Sequence, residues 1–236
     1  MLPLFRYYNM NVLDELKKYQ DDEYKKFTSA LKVNNLLGVR NPILKNIAKE
    51  MVKNNDYVSF LNEKHTYHEE NMIHMYILSF IKDKEFVYNE LDKFVPNLDN
   101  WAVCDSLLNI KLIDKNRDYF YSLVNKYKNS DKEFEIRFSI IMLLSHYVVS
   151  EYVDDIFKII EEVKNDFYYT KMGIAWLLCE LMIKFRDKCM EYIKISKLDD
   201  FTFNKAIQKM NESFRISDDD KIYLKSLKRW NYDAIR

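Results

Sequence analysis

Only two glycines, Gly38 and Gly173, and three prolines occur among 236 residues, and that scarcity limits the fold more than any other feature. Tight β-hairpins draw on Gly, Asn-Gly and Pro turns, so a chain with so few of either residue is expected to be all-helical. Hydrophobic side chains make up 48% of it and aromatic ones 15%, enough to bury a substantial core.

Apolar positions at helical period mark helices at about Met10 to Tyr19, Asp22 to Leu31, Pro42 to Lys53, Tyr57 to Asn62, Tyr67 to Ile81 and Lys84 to Phe94. They continue at Asn100 to Leu112, Arg117 to Lys128, Lys132 to Val148, Val153 to Lys164, Phe167 to Phe185, Lys188 to Ile195, Phe201 to Ser213 and Asp218 to Arg229. Asn41 before Pro42, Asp131, Asp166 and Ser217 read as helix caps. The most apolar helices begin near Tyr67, Asn100, Lys132, Phe167 and Phe201, roughly 31 to 36 residues apart, with a more amphipathic helix between each pair. Helix pairs recurring at that interval are the mark of an α-solenoid of the HEAT or armadillo type, in which the more apolar helix of each pair lines the inner, concave surface. No linker rich in Gly, Ser or Pro interrupts the series. The expectation is one domain over 1–236, with N-terminal helices in 1–32 packing on repeats over 41–229 and a loop from Val33 to Arg40 between them.

The chemistry-bearing residues sit inside apolar helical runs. In Asp99-Asn100-Trp101-Ala102-Val103-Cys104-Asp105, an indole and a carboxylate four residues apart share one helix face. Such a pair suits a substrate that is cationic or becomes so as it reacts. Arg137 is a second charge in an apolar run, one repeat later, and Trp176 lies one repeat beyond that. Spacing alone leaves two readings open: a structural Asp105–Arg137 ion pair holding repeats in register between core tryptophans, or one polar, π-rich site.

These residues resemble the AlkD-type DNA alkylation repair glycosylases, which are built from HEAT-like repeats. The resemblance runs through Leu37-Gly38-Val39-Arg40-Asn41-Pro42 with Ala48-Lys49, Tyr67-His68-Glu69-Glu70, Asp99-Asn100-Trp101 with Asp105-Ser106, Arg137-Phe138, Ala175-Trp176, Phe203-Asn204-Lys205-Ala206 with Gln208-Lys209, and Glu212-Ser213. It implies a glycosylase that frees N3- and N7-alkylated purines from duplex DNA without a cofactor. Trp101, Asp105, Arg137 and Trp176 would surround the damaged nucleotide. An alkylated purine already carries positive charge and leaves without a general acid, so one carboxylate, Asp105, would suffice to stabilise the oxocarbenium ion and align water. Arg137 would clamp phosphate through its planar fork. Selectivity would then follow from the lability of the cationic base, with no need to rotate the lesion into a deep pocket. Where the best-known members carry a Tyr, Met and Lys group before the loop glycine, this chain has Ala30-Leu31-Lys32-Val33-Asn34.

Arg40, Lys45, Tyr168, Tyr169, Lys171, Lys205 and Lys209 are candidate DNA contacts, with Lys32, Lys225, Lys228 and Arg229 as further basic positions. Lys plus Arg and Asp plus Glu both number 37, so net charge argues neither for nor against a nucleic-acid partner. His65, His68 and His74 lack accompanying ligands at zinc spacing and are not read as a metal site. Cys104, Cys179 and Cys189 form no paired pattern and read as reduced thiols. Met1 to Tyr8 is too short for a signal peptide, and no run approaches a membrane span, so a cytoplasmic monomer is expected. The competing function is a non-catalytic helical-repeat module that binds DNA structures or a protein partner.

Overall fold

The computed structural model describes residues 11–30 and 32–229, so Met1 to Met10, Leu31 and the last seven residues, with the expectations drawn on them, lie outside the described residues. Every regular element described is helical, and the helices fall into two compact units, Met1–Asn116 and Arg117–Arg236.

In the first unit the order is α1 (Val12–Lys17), α2 (Asp22–Ser29), α3 (Asn41–Lys53), α4 (Val58–Leu61), α5 (His68–Phe80), α6 (Lys84–Phe94) and α7 (Trp101–Asp105). In the second it is α8 (Arg117–Tyr127), α9 (Glu133–Met142), α10 (Val153–Glu162), α11 (Tyr168–Lys184), α12 (Arg186–Ile195), α13 (Asp200–Glu212) and α14 (Asp218–Ser226). Packing follows a repeat in each unit. In the first, α3 lies against α5 and α5 against α7; in the second, α9 lies against α11 and α11 against α13.

Burial separates the two kinds of helix. On α8 the buried residues are Phe120, Leu123, Val124 and Tyr127, one stripe at 3.6-residue period, and α10 buries Val153, Ile156, Ile159 and Ile160 in the same way. By contrast α9 buries every residue from Ile136 to Met142, and α11 is buried almost all round. A helix enclosed by neighbours needs no polar face, which is why the series of most apolar helices was readable at a repeat interval.

Bonds between successive repeats carry that interval directly. In the second unit Lys188 pairs with Asp154 and Arg186 with Asp220, both 34 residues apart, and the Tyr152 hydroxyl donates to Asp118 at the same separation. In the first unit the His68 N–H donates to the Asn35 carbonyl at 3.0 Å, and Asn100 approaches His68 across 32 residues.

Helix ends depart from expectation in places. Asn41 is the first residue of α3 and Arg40 its N-cap, with no side-chain bond, so Asn41 is inside the helix and Pro42 takes its second position. Asp131 and Asp166 do not cap either: the Ser130 hydroxyl takes the Lys132 N–H and the Asn165 side chain takes the Phe167 N–H, while Ser217 caps α14 as read. The helix expected over Asn100 to Leu112 stops at Asp105 and continues as 3-10 turns. The Ser106 hydroxyl, donating to the Val103 carbonyl at 2.6 Å, and the Asn109 amide, donating to the Ser106 carbonyl at 2.9 Å, compete there with the helical ladder. The helix over Lys132 to Val148 likewise ends in a π turn, Leu143–Tyr147.

An imidazole pair, His74 buried and His65 half-buried, sits in the first unit. His65 Nε2 and His74 Nδ1 are 3.0 Å apart, with His65 stacked on Phe60 and His74 on Phe94. Burial, helped by His65 and Lys93, pushes the His74 pKa down to about 3, and burial also lowers that of His65. An unfolded histidine titrates near 6.5, so between about pH 6.5 and 3 the unfolded chain holds more protons than the folded one. The contribution is complete above 6.5 and declines as the pH falls through that window. Urea midpoints measured from pH 7.5 to 5 should fall for the wild type and fall less steeply for His74→Phe; equal slopes would show that the pair does not set the acid limit.

Candidate functional site

The indole–carboxylate motif forms α7, a helix of only five residues, and its position is set by the residue before it. Asn100 is buried; its side-chain oxygen accepts the Val103 N–H at 3.1 Å, and its amide donates to Asp99 at 2.7 Å. That amide also lies 3.5 Å from His68 Nδ1 on α5. Val103 and Cys104 point into the core, leaving Trp101 and Asp105 half-buried one turn apart on the other side. Neither residue is sealed inside the protein.

The loop preceding α3 is held from beneath by Glu69, which is 1% exposed. Its carboxylate accepts the N–H groups of Leu37 at 3.0 and 3.1 Å, Gly38 at 2.7 Å and Val39 at 3.2 Å. Three successive N–H groups form a cradle of the kind that binds anions, here filled by the chain's own side chain. Gly38 adopts φ +92°, and a Cβ there would lie 2.7 Å from the Asp21 carbonyl oxygen. Beyond the loop, Arg40 donates to Asp21 at 3.0 and 2.8 Å and stands over the Tyr24 ring, while Lys45 is exposed.

In the second unit Arg137 is 5% exposed, and its Nη1 donates to the Tyr169 carbonyl. The Tyr169 N–H in turn donates to Glu133 at 2.6 Å, and the Thr170 hydroxyl to the Glu133 carbonyl at 3.1 Å, so the first turns of α9 and α11 are laced together. Trp176, two turns further along α11, is half-buried.

Aromatic rings run across the starts of α9, α11 and α13. Phe134 meets Tyr169 at 5.5 Å, Tyr168 meets Tyr169 edge-on at 5.2 Å, and Tyr168 reaches Phe201 at 6.1 Å. Tyr168 is 54% exposed. Lys171 lies between Asp166 at 3.0 Å and Asp199 at 3.3 Å. Burial pulls its pKa down, but the two carboxylates outweigh burial and hold it above the usual lysine range. Lys205 donates to Gln208 at 3.1 Å and faces Phe201, and Lys209 is half-buried on the same helix. A groove of about 1010 Å³ with Phe157, Tyr192 and Leu198 in its wall also reaches Lys171, but neither Arg137 nor Trp176 lines it.

Spacing and resemblance single out Trp101, Asp105, Arg137 and Trp176 and give no role to Glu69, Glu133 or Gly173. Glu69 lies in the run Tyr67-His68-Glu69-Glu70, yet its partners are backbone groups 30 to 32 residues away and leave no trace in side-chain chemistry. Gly173 did carry a signal, as one of two glycines in the chain and the one inside a helix.

Residues 12–210 match the model of a protein family described as DNA alkylation repair enzyme. Comparison with curated proteins gives no match.

Proposed function

Because the chain belongs to the DNA alkylation repair enzyme family, we propose that it is a DNA N-glycosylase hydrolysing the glycosidic bond of positively charged N3- and N7-alkylated purines in duplex DNA. The family makes the chain a DNA repair enzyme; the reaction is argued from its residues. The observation that carries the proposal is the half-buried pair Trp101 and Asp105, one turn apart on a helix fixed by the buried Asn100.

As the glycosidic bond lengthens, positive charge moves onto the deoxyribose. The Asp105 carboxylate would stabilise that charge and orient the attacking water. Trp101 would offer its ring to the same sugar, worth about 0.5 to 2 kcal/mol, and Trp176 on α11 is proposed as a further indole facing the DNA. Arg137 would act as the phosphate clamp while its Nη1 stays bound to the Tyr169 carbonyl. Lys45, Lys205 and Lys209 would meet the DNA backbone. Arg40 and Lys171 would do so by exchanging a carboxylate partner for a phosphate, and Tyr168 and Tyr169 by hydroxyl donation. No helix among the described residues is long and apolar enough to cross a membrane, and the protein is proposed to work as a cytoplasmic monomer without a cofactor.

Purified protein incubated with N-methylated duplex DNA should release N3-methyladenine and N7-methylguanine, and should leave uracil and hypoxanthine in place because they carry no leaving-group charge. Duplex binding without release of any methylated purine would overturn the proposal in favour of the non-catalytic module.

A further inference from the structure

Glycine inside a helix loses more backbone freedom on folding than alanine does, and it packs no side chain. Gly173 nevertheless occupies the sixth position of the 17-residue α11, on its buried face against α9. A Cβ built there would stand 3.3 Å from Ile140 Cγ2 and 3.4 Å from Arg137 Nη1, tighter than ordinary contact. The reason lies one turn back. In an α-helix the Tyr169 carbonyl faces the N–H of the residue four places on, which is Gly173. Arg137 Nη1 donates to that same carbonyl, so the guanidinium arrives over the glycine. Glu133, one turn before Arg137 on α9, takes the Tyr169 N–H at 2.6 Å and fixes how deeply the two helices engage.

We propose that Gly173 is a positioning residue for Arg137, its missing side chain leaving the space in which the Tyr169 carbonyl holds the guanidinium at the place where it meets a phosphate diester. The phosphate part rests on the function proposed above; the positioning part rests on the packing of α9 against α11.

The test is Gly173→Ala in the full chain, beside Arg137→Ala and the double variant. Gly173→Ala should melt near the wild-type temperature, its gain in helix propensity set against the 3.3 Å approach to Ile140, and shift the Arg137 Nε–H resonance in nitrogen-15 NMR spectra. Its KM for methylated duplex should rise about fivefold to tenfold, the scale set by displacing a positioned group by part of an ångström, with kcat changed less. The double variant should bind DNA no worse than Arg137→Ala alone. An unmoved Arg137 resonance in Gly173→Ala, or a double variant clearly weaker than Arg137→Ala, would overturn the inference. If Arg137→Ala leaves KM untouched while the resonance still moves in Gly173→Ala, the phosphate role fails and the positioning stands.

Discussion

Asp105→Asn is expected to cut the release of methylated purines by about 10²- to 10³-fold, the usual loss when one group aimed at developing charge is removed. Duplex affinity should hold or tighten slightly, because a negative charge near the phosphate backbone is gone. The substitution keeps the side chain's shape, and the Asn100 bonds that fix α7 are not altered by it. A melting temperature held at the wild-type value alongside a fall in activity would report on chemistry. Single-turnover release under saturating enzyme, with binding measured on the same duplex, separates the two quantities. Release within about threefold of wild type would remove Asp105 from the mechanism, since threefold corresponds to less than about 1 kcal/mol of barrier.

The second large effect is on stability. Glu69→Ala is expected to lower unfolding free energy by about 3 kcal/mol or more, because three neighbouring N–H groups lose their acceptor together and each buried orphan costs about 1 to 3 kcal/mol. Against a total of about 5 to 15 kcal/mol for an ordinary domain, this is a severe loss, and the melting temperature should drop by roughly 10 °C or more. Glu69→Gln keeps one acceptor oxygen but turns an NH₂ towards the same donors, so its midpoint should fall between the other two. Thermal melts of the three proteins decide the matter. Equal midpoints for Glu69→Ala and wild type would mean that water replaces the carboxylate in the cradle.

How far the sequence foretold this molecule depended on whether the signal was periodic. Helix α6 occupies Lys84 to Phe94 as expected, because its apolar stripe is uninterrupted and Asp83 caps it with bonds to Glu85 and Phe86. The inner helices were legible as the apolar member of each pair, since enclosure leaves them no polar face. Competition by short polar side chains was not legible. Ser106 and Asn109 could have decorated a helix as readily as ended one, and only the surrounding packing selects the 3-10 turns after Asp105. That Trp101 and Asp105 share one face was legible because a spacing of four puts them there by covalent geometry alone. The bond from Arg137 to a main-chain carbonyl on the next inner helix lay beyond such reading, as did the grip of Glu69 on its loop. Main-chain groups are the same at every residue, so their partners are named only once the helices are packed.

The 34-residue ties of the second unit imply how it comes apart. Tyr152 holds Asp118, Lys188 holds Asp154, and Arg186 holds Asp220, so each outer helix is fastened to the one or two beside it in the row. Opening α14 releases Arg186 from Asp220 but leaves the tie at Asp118 whole. Such a row can fray from its C-terminal edge like a zip fastener, losing one helix while those behind it stay closed.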